Sequence, residues 1–125
     1  MRPVQVAWGE VTVDCRDTEP VARFWGALLG ASVAPQEDGW FRLGPLVPGG
    51  PVINFQPVPE PKVGKARTHL DVWVDDLDAG ISFAEGLGAT CLGQVFTEAE
   101  GTGVVMADPE GNEFCVVALP GAPSS

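Results

Sequence analysis

The sequence predicts an α+β fold: two tandem βαβββ modules whose sheets curl into one open, cup-shaped barrel with the helices outside. Three observations predict it. First, His69-Leu70-Asp71-Val72-Trp73-Val74 alternates with the period of a half-buried strand, then runs through Asp76 into a helical pattern. Second, the same order of strand, cap and helix occurs 59 positions earlier, at residues 10–29. Third, the polar residues of the best strands fall on one face, opposite an apolar one.

The elements follow in order. In residues 10–15, Val11, Val13 and Cys15 lie on one face and Glu10, Thr12 and Asp14 on the other. Asp17-Thr18-Glu19-Pro20 starts a helix, with a capping residue, an acid in the first turn and a proline where its missing N–H is tolerated. Val21, Phe24, Trp25 and Leu28 keep helical spacing, and Gly30 stops the helix. Residues 31–36 and 40–43 form a hairpin around Glu37-Asp38-Gly39, whose Asp-Gly pair suits the turn. Residues 44–51 are a proline- and glycine-rich loop, and 52–56 a strand.

Residues 59–66 read as a linker between module one, about 8–58, and module two, about 67–118, within a single domain of residues 1–125. In module two, Asp76 caps a helix over 77–87 with the stripe Leu77, Ile81, Ala84 and Leu87. Gly80 and Gly86 weaken it by about 1 kcal/mol each relative to Ala, and Gly88 ends it. Strands are expected over 90–96, 103–107 and 113–118, with a loop at 97–102. Asp108-Pro109-Glu110-Gly111-Asn112 has strong turn chemistry. The modules also align: at the 59-residue offset Val13 meets Val72, Asp17 meets Asp76, Phe24 meets Phe83 and Leu28 meets Leu87, a one-residue shift puts Gly30 on Gly88, and the same 59 recurs where Phe55 meets Phe114.

Composition narrows the function. Hydrophobic residues make up 45% of the chain, too many for a disordered segment. Seventeen acidic against seven basic residues give a net charge of -10, which argues against nucleic acid and against anionic membranes. No apolar run approaches a bilayer span and no signal peptide opens the chain, so a cytoplasmic protein is expected. The three cysteines, Cys15, Cys91 and Cys115, are expected to be reduced.

The polar face carries Glu10, Thr12, Asp14, Asn54, Gln56, His69, Asp71, Trp73, Glu113 and Cys115. Facing water, it would belong to an ordinary half-exposed sheet. If the sheets curl, it becomes a polar cup, and the repeat favours the cup. Polar groups inside a cup cost energy unless paired or used on a ligand. Gln56, Asp71, Trp73, Trp40, Cys115 and Asn54 are therefore expected to line a substrate pocket, with the two tryptophans as its aromatic wall.

These features resemble the vicinal oxygen chelate superfamily, which includes glyoxalase I, bleomycin-resistance proteins, fosfomycin-resistance thiol transferases and extradiol dioxygenases. The resemblance spans about residues 8–118. It rests on Val13-Asp14-Cys15-Arg16-Asp17 with Phe24-Trp25 and Leu28-Leu29-Gly30, on residues 64–71, and on Asp108-Pro109-Glu110-Gly111-Asn112-Glu113-Phe114-Cys115. Within the superfamily the chain looks most like the small glyoxalase-like proteins.

The resemblance implies a homodimer that binds a small molecule. It implies either a lyase or isomerase acting on a small oxygenated metabolite, or a non-catalytic protein that sequesters a drug or metabolite. It also implies metal ligands at Glu10, Gln56, His69 and Cys115, of which only His69 is the usual type for the family. The cofactor expectation is therefore none, or one divalent metal ion, zinc being the best match to mixed N, O and S donors.

His69 is the only histidine. It is expected either as a metal ligand or general base, or as a neutral side chain hydrogen-bonded to Glu10 or Glu113. Glu10 and Glu113 are the other candidate catalytic acids or bases, and solvation is the plain alternative for Glu113. Cys115 is expected to be an inert buried thiol, since the sequence fixes no base beside it. Lys62, Lys65 and Arg67 cluster either as a solvated linker, or as a clamp for an anionic group or a salt bridge to a partner subunit.

Overall fold

Alternation in the first strand and the β-branched content of residues 52–55 place β1 (Glu10–Cys15) and β4 (Val52–Pro57) side by side in parallel. Helix α1 (Thr18–Leu29) follows β1. The hairpin β2 (Val33–Pro35) and β3 (Phe41–Leu43) adds antiparallel strands, giving the order β1-β4-β3-β2. Between β2 and β3, Asp38 and Gly39 both take positive φ, 58° and 82°, as the Asp-Gly signal anticipates.

The computed structural model describes residues 5, 10–64, 68–93, 95–98 and 101–118. Two compact units result, Met1–Pro59 and Glu60–Ser125. In the first, α1 packs on the apolar sheet face, and Cys15, Val21, Phe24, Trp25, Leu43, Ile53 and Phe55 are buried. Phe24 and Trp25 meet edge to face, with ring centroids 5.4 Å apart.

The second unit repeats the order with one extra short strand. It contains β5 (Leu70–Val74), α2 (Leu77–Leu87), β6 (Thr90–Cys91), β7 (Phe96–Glu98), β8 (Gly101–Ala107) and β9 (Glu113–Ala118). β5 runs parallel to β9, β9 antiparallel to β8, and β6 and β7 both pair with β8. The single strand expected over 90–96 is thus two short ones, with Gly93 between them, where the polypeptide leaves the edge of β8 and rejoins it. The expected loop at 97–102 is mostly hairpin: Thr97 stands opposite Thr102, their hydroxyls 3.2 Å apart.

Both helices follow the expected aspartate and stop at the expected glycine, but Asp17 takes the N-cap position of α1 without a side-chain capping bond. The Asp76 carboxylate accepts from the Ala79 N–H at 3.1 Å, and Gly30 and Gly88 end their helices in the left-handed region. Asp108 is the buried hub of the last turn, accepting from the Glu110 and Asn112 amides at 2.9 Å each and from Asn112 Nδ2 at 3.0 Å. Among the described residues, the strands form two open mixed sheets, one of four strands and one of five, and no closed barrel.

The repeat is not a perfect copy. Val13 stands opposite Phe55 in the first unit, but Val72 stands opposite Val116 in the second, where Phe114 faces Leu70. The pairing of first and last strands therefore slips by two residues between the units. A slip of two keeps every side chain on its original face, so the apolar pattern tolerates it.

Candidate metal and ligand site

In the second unit, side chains at alternate positions share a face, so His69, immediately before β5, and Asp71, within it, project together. The His69 Nδ1 lies 3.2 Å from the Asp71 carboxylate. Both side chains are about half exposed, 46% and 53%. The parallel register sets Asp71 opposite Cys115 on β9, which is buried at 6% exposure. Together these bring the donor atoms of His69, Asp71 and Cys115 within 4.8 Å of one another. Trp73 continues the same face and is 71% exposed, opposite Val117.

Within the second unit the carboxylate beside His69 is therefore Asp71, and not Glu113, the candidate the sequence offered there. Asp71 was expected only as pocket lining. The signal that could have found its role is the His-x-Asp spacing itself, which places both groups on one side of a strand. Glu113 shares the face of β9 with Cys115 but is held by Lys62, at 2.7 Å and with side-chain exposures of 23% for Lys62 and 11% for Glu113. Lys62 Nζ also donates to the Gly64 carbonyl. Lys62 is thus neither simply solvated nor an open clamp, and Lys65 and Arg67 lie outside the described residues.

In the first unit, Glu10 is exposed at the start of β1, level with Val52. Gln56 is half-buried and level with Asp14, four residues further along. Four residues of strand span about 13 Å. The two-residue slip accounts for half of that separation: in the second unit Cys115 is level with Asp71, two residues from His69, whereas here Gln56 is level with Asp14, four from Glu10. Asn54 is buried at 3% exposure and accepts from Arg42 Nε at 3.1 Å. Trp40 is half-buried, just after the hairpin turn.

An imidazole nitrogen, a carboxylate oxygen and a thiol sulfur on one sheet face fit a divalent metal of the zinc type, which accepts all three donors. Glu10 and Gln56, set apart along their own sheet, do not form an equivalent cluster. No disulfide joins Cys15, Cys91 or Cys115.

The glyoxalase-like domain family matches residues 10–117. The chain belongs to that family. The glyoxalase-like domain falls within the vicinal oxygen chelate superfamily, as the sequence motifs suggested. No curated protein matches the chain significantly.

Among solved structures, a glyoxalase/bleomycin resistance protein/dioxygenase family enzyme from Burkholderia phytofirmans is 19% identical, with a TM-score of 0.73 over 89% of this chain and 97% of that one. A glyoxalase-related enzyme from Fulvimarina pelagi is 17% identical, with a TM-score of 0.71 over 91% of this chain and 88% of that one. The fosfomycin resistance protein FosX from Listeria monocytogenes is 13% identical, with a TM-score of 0.71 over 92% of this chain and 94% of that one. At these identities the likeness is one of fold. No helix among the described residues of this glyoxalase-like chain is long and apolar enough to cross a membrane.

Proposed function

We propose that this glyoxalase-like protein binds a small molecule in a polar cup. In the second unit its wall carries His69, Asp71, Trp73 and Cys115, which share one face of that unit's sheet. The single observation behind the reading is the His69–Asp71 pair, 3.2 Å apart on an exposed sheet face beside a buried thiol. Such a pair adds nothing to the apolar core. An oriented imidazole can take a proton from carbon next to a carbonyl and return it elsewhere, which is the chemistry of a lyase or isomerase on a small oxygenated metabolite. Asp71 would hold the ring in place, and the exposed Trp73 indole would offer a flat apolar contact. We read the protein as a cytoplasmic homodimer.

A second reading is sequestration without chemistry. It is supported by the net charge of -10, which suits a cationic drug, and by the fosfomycin resistance protein among the structural neighbours. Thermal-shift screening tests both readings, using small oxygenated metabolites together with fosfomycin and bleomycin. At least one compound should raise the melting temperature of the wild type and fail to do so with Asp71→Asn and Trp73→Ala. Recovering that compound after incubation separates the readings: chemically altered, it marks an enzyme, and unaltered, a sequestering protein. A compound whose shift survives both substitutions binds elsewhere, and the proposed cup then fails.

A further inference from the structure

We infer that the second unit holds a metal by itself: His69, Asp71 and Cys115 form a three-residue zinc-type site that needs neither Glu10 nor Gln56. This deepens the functional reading above and rests on it for the site's location. The family resemblance implies ligands from both modules, taken from the first and last strand of each. The geometry assigns a different set. The donor atoms of His69, Asp71 and Cys115 already lie within 4.8 Å of one another, all on β9, on β5 or next to it. Glu10 and Gln56 are separated by four residues of register.

The donor chemistry selects the ion. A thiolate is a soft ligand, so magnesium, calcium and manganese, which favour all-oxygen shells, are disfavoured. Nitrogen, oxygen and sulfur from three side chains suit zinc, and three protein ligands leave a fourth position for water or a substrate oxygen. Cys115 would bind as thiolate, so metal entry releases its proton to solvent. The buried thiol anchors the site on the sheet, while the exposed His69 and Asp71 keep the outer side open. Asp71 would then serve as ligand as well as neighbour of the imidazole. That explains why its carboxylate sits where a merely orienting group would also sit.

Cobalt(II) is the probe, because a cobalt–thiolate bond has a charge-transfer absorption that zinc lacks. Full-length protein, stripped with chelator, is titrated with cobalt(II) and then competed with zinc. The wild type should bind one cobalt per chain, show the thiolate band and lose it to zinc. Cys115→Ser should keep its fold by circular dichroism and lose the band. Asp71→Asn should weaken cobalt binding by at least about tenfold. The double variant Glu10→Gln/Gln56→Ala should bind cobalt as the wild type does.

A folded wild type without the thiolate band overturns the inference. So does an Asp71→Asn variant with unchanged affinity. Loss of binding in the Glu10/Gln56 double variant would overturn it in favour of a site shared between the modules. The titration contains no organic ligand, so its failure falls on the ligand set alone, whereas failure of the small-molecule screen falls on the functional reading.

Discussion

At the scale of single residues, the most constrained carboxylate is outside the site. Asp108 is buried at 3% exposure and accepts three hydrogen bonds within its own turn. Replacing it with alanine strands two backbone N–H donors and one amide. Each lost bond of this kind costs about 1–3 kcal/mol, and partial rehydration limits the sum. Asp108→Ala should therefore lose about 3 kcal/mol in urea denaturation with an unchanged slope. A loss under 1 kcal/mol would mean that water replaces the carboxylate and that the turn is not set by it. The turn itself was legible as Asp-Pro-Glu-Gly-Asn. Its degree of burial was not, because nothing local says how deeply a turn sits. The site shows the same division. His69 stood out as the sole histidine, and Cys115 shares its sheet face, so both were readable. That Cys115 stands level with Asp71 depends on a strand register that a sequence pattern leaves open to slips of two, whereas the His69–Asp71 pair needed only the i, i+2 spacing.

At the scale of elements, α2 shows why a propensity scale misleads without packing. The sequence marks Gly80 and Gly86 as equal weaknesses. The structure separates them. A Cβ on Gly80 would stand 2.8 Å from Val74 Cγ1 and 3.1 Å from its Cβ, closer than real side chains approach. A Cβ on Gly86 meets nothing within 4 Å. Gly80 is thus the residue that lets α2 close onto β5, while Gly86 is only a backbone-entropy cost. Gly86→Ala should stabilise the protein by about 1 kcal/mol. Gly80→Ala gains the same propensity and loses about 1–3 kcal/mol to overpacking, for a net destabilisation of about 1 kcal/mol. Thermal melts of the two variants check the contrast, and equal shifts of the same sign would refute it. The helix ends, strand faces and repeat were all legible here, because caps, periods and glycine stops are local signals. The split of residues 90–98 into β6 and β7 was not, because it depends on where that edge can pair with β8.

At the scale of the whole molecule, charge decides what can approach. A net charge of -10 on 125 residues sets each chain against its own copy. The proposed homodimer must overcome that repulsion with contacts that salt does not weaken. Several apolar side chains are available, among them Phe83 at 53%, Leu92 at 54% and Val95 at 58% exposure. Screening acts on the repulsion and not on apolar burial. The Debye length falls from about 30 Å at 0.01 M to about 10 Å at 0.1 M salt. Dimerisation should therefore tighten as salt rises over that range, the opposite of an interface built on ion pairs. Sedimentation equilibrium at micromolar protein, run at both salt concentrations, checks the sign. A dimer that dissociates on adding salt would point to charged contacts between the chains. A monomer at both concentrations would remove the homodimer and leave the His69, Asp71 and Cys115 cluster, which lies within one chain, to act alone.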